Sequence, residues 1–293
     1  MKATIIGLGL IGGSIAIDLR KAGLTTELTG MDRNQDHAAR ALELKLVDRI
    51  DTEGETLASA DLIVIAIPVS VLSQLLPSIL DAVKKGAVVI DTGSTKSQVC
   101  KAVVNHQNRG QFVAAHPIAG TENSGPTAAF SGLFQNKTNI ICEKEKSSLQ
   151  ALALAEKIFA ALGMNTINMD AGEHDKHVAY VSHLSHVSSF LLGQTVLDIE
   201  RDEKNIFALA GSGFSSTVRL AKSSPDMWAP IFEQNAEHLS QALLEYIMHL
   251  QKFQYHLMKR DVNELHKIMK DANRIREVLN GIELKQKTVI ENK

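Results

Sequence analysis

Two residues of this chain stand where proton chemistry could occur, and a third where an anion could be held. His116, in His116-Pro117-Ile118-Ala119-Gly120, closes the apolar run Phe112–Ala115. An imidazole there can accept a proton from a substrate hydroxyl, because its ordinary pKa is about 6.5. Ser94, in Asp91-Thr92-Gly93-Ser94-Thr95-Lys96, closes the preceding run Val88–Ile90 and could orient that histidine or the substrate. Arg219 lies in Ser215-Ser216-Thr217-Val218-Arg219-Leu220-Ala221, an apolar stretch with no acidic residue four positions to either side. A buried guanidinium is costly unless paired, so Arg219 is expected to await an anionic ligand, a carboxylate held bidentately. An internal ion pair is the alternative. His183 and His186 lie three apart, preceded by His174 and His177. Lacking an acidic ligand set they make a poor zinc site, so no metal is expected. Pocket lining or helix packing suits them better, and Trp228 is either core or pocket wall.

Groups such as His116 and Ser94 need a scaffold that delivers them to one edge. In an open α/β sheet that edge is the carboxyl end of the strands. The stretch 2–32 specifies such a scaffold. An apolar run (Ala3 to Ile6) meets Gly7-Leu8-Gly9-Leu10-Ile11-Gly12, a helical pattern follows, and a second β-like run (Glu27 to Met31) ends at Asp32. Strand, glycine turn, helix, strand and acid within about 30 residues is the layout of a dinucleotide-binding unit. Gly7 permits the turn, Gly9 lets a pyrophosphate approach the backbone, and Gly12 lets helix and strand pack closely. The free N–H groups at the helix start receive the phosphates. Asp32 can accept both ribose hydroxyls, which favours NAD; the neighbouring Arg33 leaves NADP open.

The alternation continues. Helices are expected over 35–46, 69–84 (despite Pro77), 97–108 and Leu149–Leu162. Strands are expected at Leu62–Ile67 (closed by Pro68), Ala87–Ile90, Phe112–Ala115, Asn139–Cys142 and Thr166–Met169. Continuous apolar strands of this kind belong to parallel sheets covered on both faces. Residues 1–170 therefore read as one doubly wound domain. After Asp170 the pattern turns helical: 172–200, then 231–258, then a stripe from Val262 to Leu279. The second is on the order of 40 Å long. Stripes of that length on a small helical domain, 171–282, call for a second copy of the chain, so a homodimer through this half is expected. The tail 283–293 is polar and expected to be loose.

Composition narrows the function class. The chain has 293 residues, 44% hydrophobic, with net charge −2 and no basic tract. Nucleic acid is therefore not an expected partner. Two cysteines without metal or disulfide spacing suit a reducing compartment. No apolar run spans a bilayer, and a cytoplasmic protein is the default.

Taken together, GLGLIGGS, DTGSTK, HPIAGTE, the SHLSHV helix and GSGF…TVRLAKSSPDMW resemble, in order and spacing from Thr4 to about Leu279, the prephenate dehydrogenases. That resemblance implies a Rossmann domain followed by an all-helical dimerisation domain. It implies oxidative decarboxylation of prephenate by NAD to 4-hydroxyphenylpyruvate, in tyrosine biosynthesis. Arogenate dehydrogenases share the motifs. Carried over by motif, His116 is the catalytic base and Ser94 its companion. Arg219 binds a substrate carboxylate, His183 and His186 line the pocket, and Glu122 lies near its mouth. Gly7, Leu8, Gly9, Leu10, Ile11, Gly12, Asp32, Arg33 and Pro68 surround the cofactor. Ser215 and Ser216 depart from the family's frequent Arg-Asp pair, and Ser185 stands where proline is common. A β-hydroxyacid dehydrogenase is the rival reading; it would want a catalytic lysine on the first long helix, but Lys176 lacks the expected asparagine after it.

Overall fold

The computed structural model describes residues 1–202 and 206–281. The expected tail, 283–293, lies outside the described residues. By packing, Met1–Ala236 form one compact unit and Glu237–Lys293 a second.

The first unit is built on an eight-stranded sheet. Its strands are β1 (Lys2–Ile6), β2 (Glu27–Met31), β3 (Arg49–Ile50), β4 (Leu62–Ile65), β5 (Val88–Asp91), β6 (Phe112–Pro117), β7 (Thr138–Cys142) and β8 (Asn165–Met169), in the order β3-β2-β1-β4-β5-β6-β7-β8. The chain winds outward from β1 in both directions, so the switch point lies between β1 and β4, where such sheets bind ligands. β1 to β6 are parallel. β7 runs antiparallel to β6 and carries β8 parallel to itself, a reversal that the apolar pattern alone does not reveal. β4 and β5 are buried throughout, as strands covered on both faces must be.

Helices α1 (Leu10–Lys21), α2 (Gln35–Glu43), α3 (Val69–Ala82), α4 (Ser97–Ala102) and α5 (Leu149–Ala161) alternate with the strands. α4 stops at Ala102, six residues before its expected end. One apolar core joins α1, α5 and one face of the sheet; a second joins α3 and α4 to the other.

The expected helix over 172–200 is three pieces: α6 (Ala171–Val178), a π-helical turn over Ala179–His183, and α7 (Leu184–Asp202). The expected helix over 231–258 is broken at Asn235 into α9 (Pro225–Gln234) and α10 (Ala236–Met258), after the short α8 (Ser212–Thr217). α6 packs on α4, and α9 on α3.

The second unit holds most of α10 and α11 (Val262–Ala272). α10 exposes Leu244, Ile247, Met248 and Leu250, and α11 exposes Val262 and Met269. Among the described residues no helix is long and apolar enough to cross a membrane.

Candidate active site

The glycine turn has the expected construction. Gly7 has φ +94°, and a Cβ on Gly12 would stand 1.9 Å from the Gly7 carbonyl oxygen, so neither position takes a side chain. A Cβ on Gly9 would meet nothing within 4 Å, so the backbone there faces open space. No side chain caps α1, which leaves its first N–H groups for a ligand. Leu8 and Leu10 are buried in the core and Ile11, partly exposed, packs against it. The Leu8 amide is already committed, donating to Asp32 Oδ2 at 2.9 Å, while Asn34 N donates to Oδ1. Asp32 is thereby held as an acceptor just past the end of β2. Arg33 is exposed. Pro68 starts α3 and lines a small pocket of about 220 Å³ with Thr121, Glu122, Ser224 and Asp226. These features fit a dinucleotide: open backbone for the pyrophosphate, a carboxylate for the ribose.

His116 is the fifth residue of β6, half-buried inside the strand. Its Nδ1 lies 2.8 Å from His174 Nε2, and His174 Nδ1 lies 2.8 Å from Asp175 Oδ1. His174 and Asp175 are both buried on α6. Asp175 also accepts the Lys96 and Ser97 amides at 2.8 Å each, capping α4 across the chain. Beneath lies a second buried group. Lys96, fully buried, pairs through Nζ with Asp91 at the end of β5 and donates to the Ala115 carbonyl at 2.7 Å. Asp91 also accepts the Gly93 and Ala115 amides. The ends of β5 and β6, which carry Ser94 and His116, are thus tied together.

Burial holds the His116 pKa well below its ordinary value, helped by His174, Lys96 and His183. Burial lowers His174 too, against the pull of Asp175. Burial alone would raise the Asp175 carboxyl; hydrogen bonds from His174, Ser97 and the Lys96 amide outweigh it and keep it low. His116 is therefore neutral at pH 7, the state a proton acceptor needs.

His183 is 1% exposed, on the π turn. The Asn235 amide nitrogen donates to the Asp175 carbonyl at 2.7 Å and so also serves His183 Nδ1 at 3.1 Å as donor. That leaves Nε2–H as the donor of His183. Burial drops its pKa to about 4. His186, half-buried, donates through Nδ1 to the Ser182 carbonyl at 3.0 Å and stacks on Trp228, ring centres 3.5 Å apart. Burial and the Arg219 charge both lower it. Trp228 is core: 7% exposed, packed with Val69 and Ile231, and edge-on to His183 at 5.8 Å. His177 and Lys176 are exposed, and take no part in this cluster.

Two expectations need revision. Arg219 is not a buried, unpaired cation. Its side chain is 54% exposed, on a 3₁₀ turn (Arg219–Lys222), and it pairs with Glu122 at 3.3 Å. The partner is distant in sequence, so helical spacing could not reveal it. Ser94 is half-buried, but the hydrogen-bonded partner of His116 is His174. Sequence spacing does not single out His174, Asp175, Lys96 or Asn235 as site residues. The only trace in the sequence was a His-Asp dipeptide and an Asp-Lys pair inside DTGSTK. The two cysteines are free and buried, and burial pushes both thiols up, Cys100 to about 12; neither is a nucleophile.

Residues 15–168 match the family model described as "Prephenate dehydrogenase, nucleotide-binding domain", and residues 170–271 match "Prephenate dehydrogenase, dimerization domain". The chain is 31% identical to the cyclohexadienyl dehydrogenase of Zymomonas mobilis, over 93% of this chain and 94% of that one. It is also 31% identical to the prephenate dehydrogenase of Bacillus subtilis, over 99% of this chain and 79% of that one. Among solved structures it resembles the prephenate dehydrogenase of Aquifex aeolicus in complex with hydroxyphenyl propionate and NAD+. The TM-score is 0.86 and the identity 28%, over 95% of this chain and 98% of that one. Synechocystis arogenate dehydrogenase matches at TM-score 0.76 and 28% identity, over 95% of this chain and all of the other.

Proposed function

The chain belongs to the prephenate dehydrogenase family, and from that premise we propose that it oxidatively decarboxylates prephenate, with His116 as the base and Arg219 as the carboxylate anchor. It is an NAD-dependent oxidoreductase of tyrosine biosynthesis. The observation that carries the site assignment is a neutral imidazole at the carboxyl edge of the sheet, held by a buried partner, on the same edge as an open glycine turn.

NAD, when bound, supplies the hydride acceptor. The rest falls to the chain. His116 accepts the hydrogen bond of the ring C4 hydroxyl and takes its proton as hydride leaves C4. The C1 carboxylate departs as carbon dioxide and the ring becomes aromatic, so His116 can return the proton to the phenol oxygen. The driving force belongs to the substrate; the protein must place C4 and polarise the hydroxyl. Ser94, just past the end of the neighbouring strand β5, holds the same hydroxyl. His183 and His186 wall the substrate, and Arg219 exchanges Glu122 for a substrate carboxylate. Gly7 to Gly12 would hold the cofactor's pyrophosphate, Asp32 its ribose, and Pro68 and Arg33 would flank it.

Residues 1–170 serve as the nucleotide domain and 171–282 as the substrate and dimerisation domain, a division supported by family models that meet at 168 and 170. The exposed apolar face of α10 supports a homodimer through that half. The free buried cysteines suit the cytoplasm.

The test is an assay with prephenate, arogenate and a hydroxyacid, each with NAD and NADP, following reduced nicotinamide and carbon dioxide. The expected result is turnover with prephenate and NAD in equal yields of both products. Turnover with arogenate alone, or nicotinamide reduction without carbon dioxide, would overturn it.

A further inference from the structure

The reaction needs a bare nitrogen on His116 facing the substrate, and neutral imidazole carries its proton on either of two nitrogens. The structure shows what decides between them. Asp175 is an acceptor only, since its two oxygens take the amides of Lys96 and Ser97 as well as the His174 ring. His174 must therefore present a proton at Nδ1. Being neutral, its Nε2 is bare, and at 2.8 Å it can only accept from His116 Nδ1. His116 is left with Nε2 unprotonated.

We propose that His174 and Asp175 are positioning residues that fix the His116 tautomer, so that Nε2 is the proton acceptor. This deepens the assignment of His116 as base and rests on it.

The arrangement has one competitor. His174 could carry two protons and donate to both neighbours, which would turn His116 over to Nε2–H. The groups facing the pair oppose that. His174 faces Asp175, Lys96, Asp91 and His116; His116 faces His174, Lys96 and His183. The buried Lys96 ammonium penalises a further positive charge on either ring, and Asp175 shares its own charge with two backbone amides. When the substrate proton reaches His116 Nε2, the resulting cation already has an acceptor at Nδ1. The Nδ1 proton can lean toward His174, and the His174 Nδ1 proton toward Asp175, without any atom having to move in from solvent.

The inference assigns different outcomes to different variants. Asp175→Asn keeps the shape but can turn an amide N–H toward His174, reversing both tautomers. It should lower kcat by roughly 10² to 10⁴-fold with KM within about threefold. His174→Gln places an amide oxygen near the lost Nε2 and should keep kcat within roughly tenfold of the parent, whereas His174→Leu should lose roughly 10²-fold or more. A merely structural role would not rank Gln above Leu in kcat at unchanged KM. Asp175→Asn at parental kcat would overturn the proposal while leaving His116 as base untouched, since that assignment is tested separately by His116→Asn. Should Asp175→Asn fail to fold, the ring ¹⁵N shifts of His116 in the intact protein decide. A protonated Nδ1 with bare Nε2 is expected; the reverse overturns the inference.

Discussion

The two ends of this site are built in opposite ways. At one end His116 is held by a chain of buried groups. His174, Asp175 and Lys96 are nearly free of solvent, and each polar atom of the chain has a named partner. At the other end Arg219 is more than half exposed and holds Glu122 across 3.3 Å. The buried end is expensive to alter and needs no rearrangement when the substrate arrives. The exposed end is cheap, and its ion pair can be exchanged for another carboxylate. In the proposed mechanism the group that needs one protonation state is the rigid one, and the group that exchanges carboxylates is the loose one.

Breaking the buried end should cost most. Lys96→Met leaves Asp91 charged and unpaired in the core, and should destabilise the fold by about 3–5 kcal/mol, read by denaturant titration. A loss below about 1 kcal/mol would mean the pair is not what ties β5 to β6. Next, Arg219→Gln should raise KM for prephenate by roughly 10- to 100-fold, with kcat little changed and stability within about 1 kcal/mol of the parent. An unchanged KM would remove the anchoring role.

Acidification probes the buried end more gently. His183 is neutral in the fold with a pKa of about 4, whereas the unfolded chain binds its proton near 6.5. Its contribution is therefore full above pH 6.5 and is lost as pH falls from 6.5 toward 4. The melting temperature should drop across that window, and His183→Gln should flatten the slope. The smallest effect belongs to Glu122→Gln. Freeing Arg219 from its exposed partner should lower KM by at most about fivefold. A rise in KM would show that Glu122 helps the substrate rather than competing with it.

The same contrast explains what could be read from the sequence. The dinucleotide unit was legible because each part is local: Gly7 and Gly12 sit where no side chain fits, and Asp32 ends the next strand. His116 and Ser94 were legible because strand ends are marked by an apolar run that stops. The partners of His116 were not, because α6 reaches β6 from 58 residues away and only the fold shows them adjacent. The burial expected of Arg219 fails for the same reason. Its apolar neighbours suggested a core, but it lies on an exposed 3₁₀ turn whose counter-ion is 97 residues distant. The π turn that brings His183 inward while His186 stacks on Trp228 also escapes a reading based on steps of three and four.

The most direct test of the account is the steady-state kinetics of His116→Asn with prephenate and NAD. Asparagine is neutral and of similar reach but cannot take a proton. The account predicts kcat lower by roughly 10² to 10⁴-fold with KM within a few-fold of the parent; near-parental kcat would contradict it.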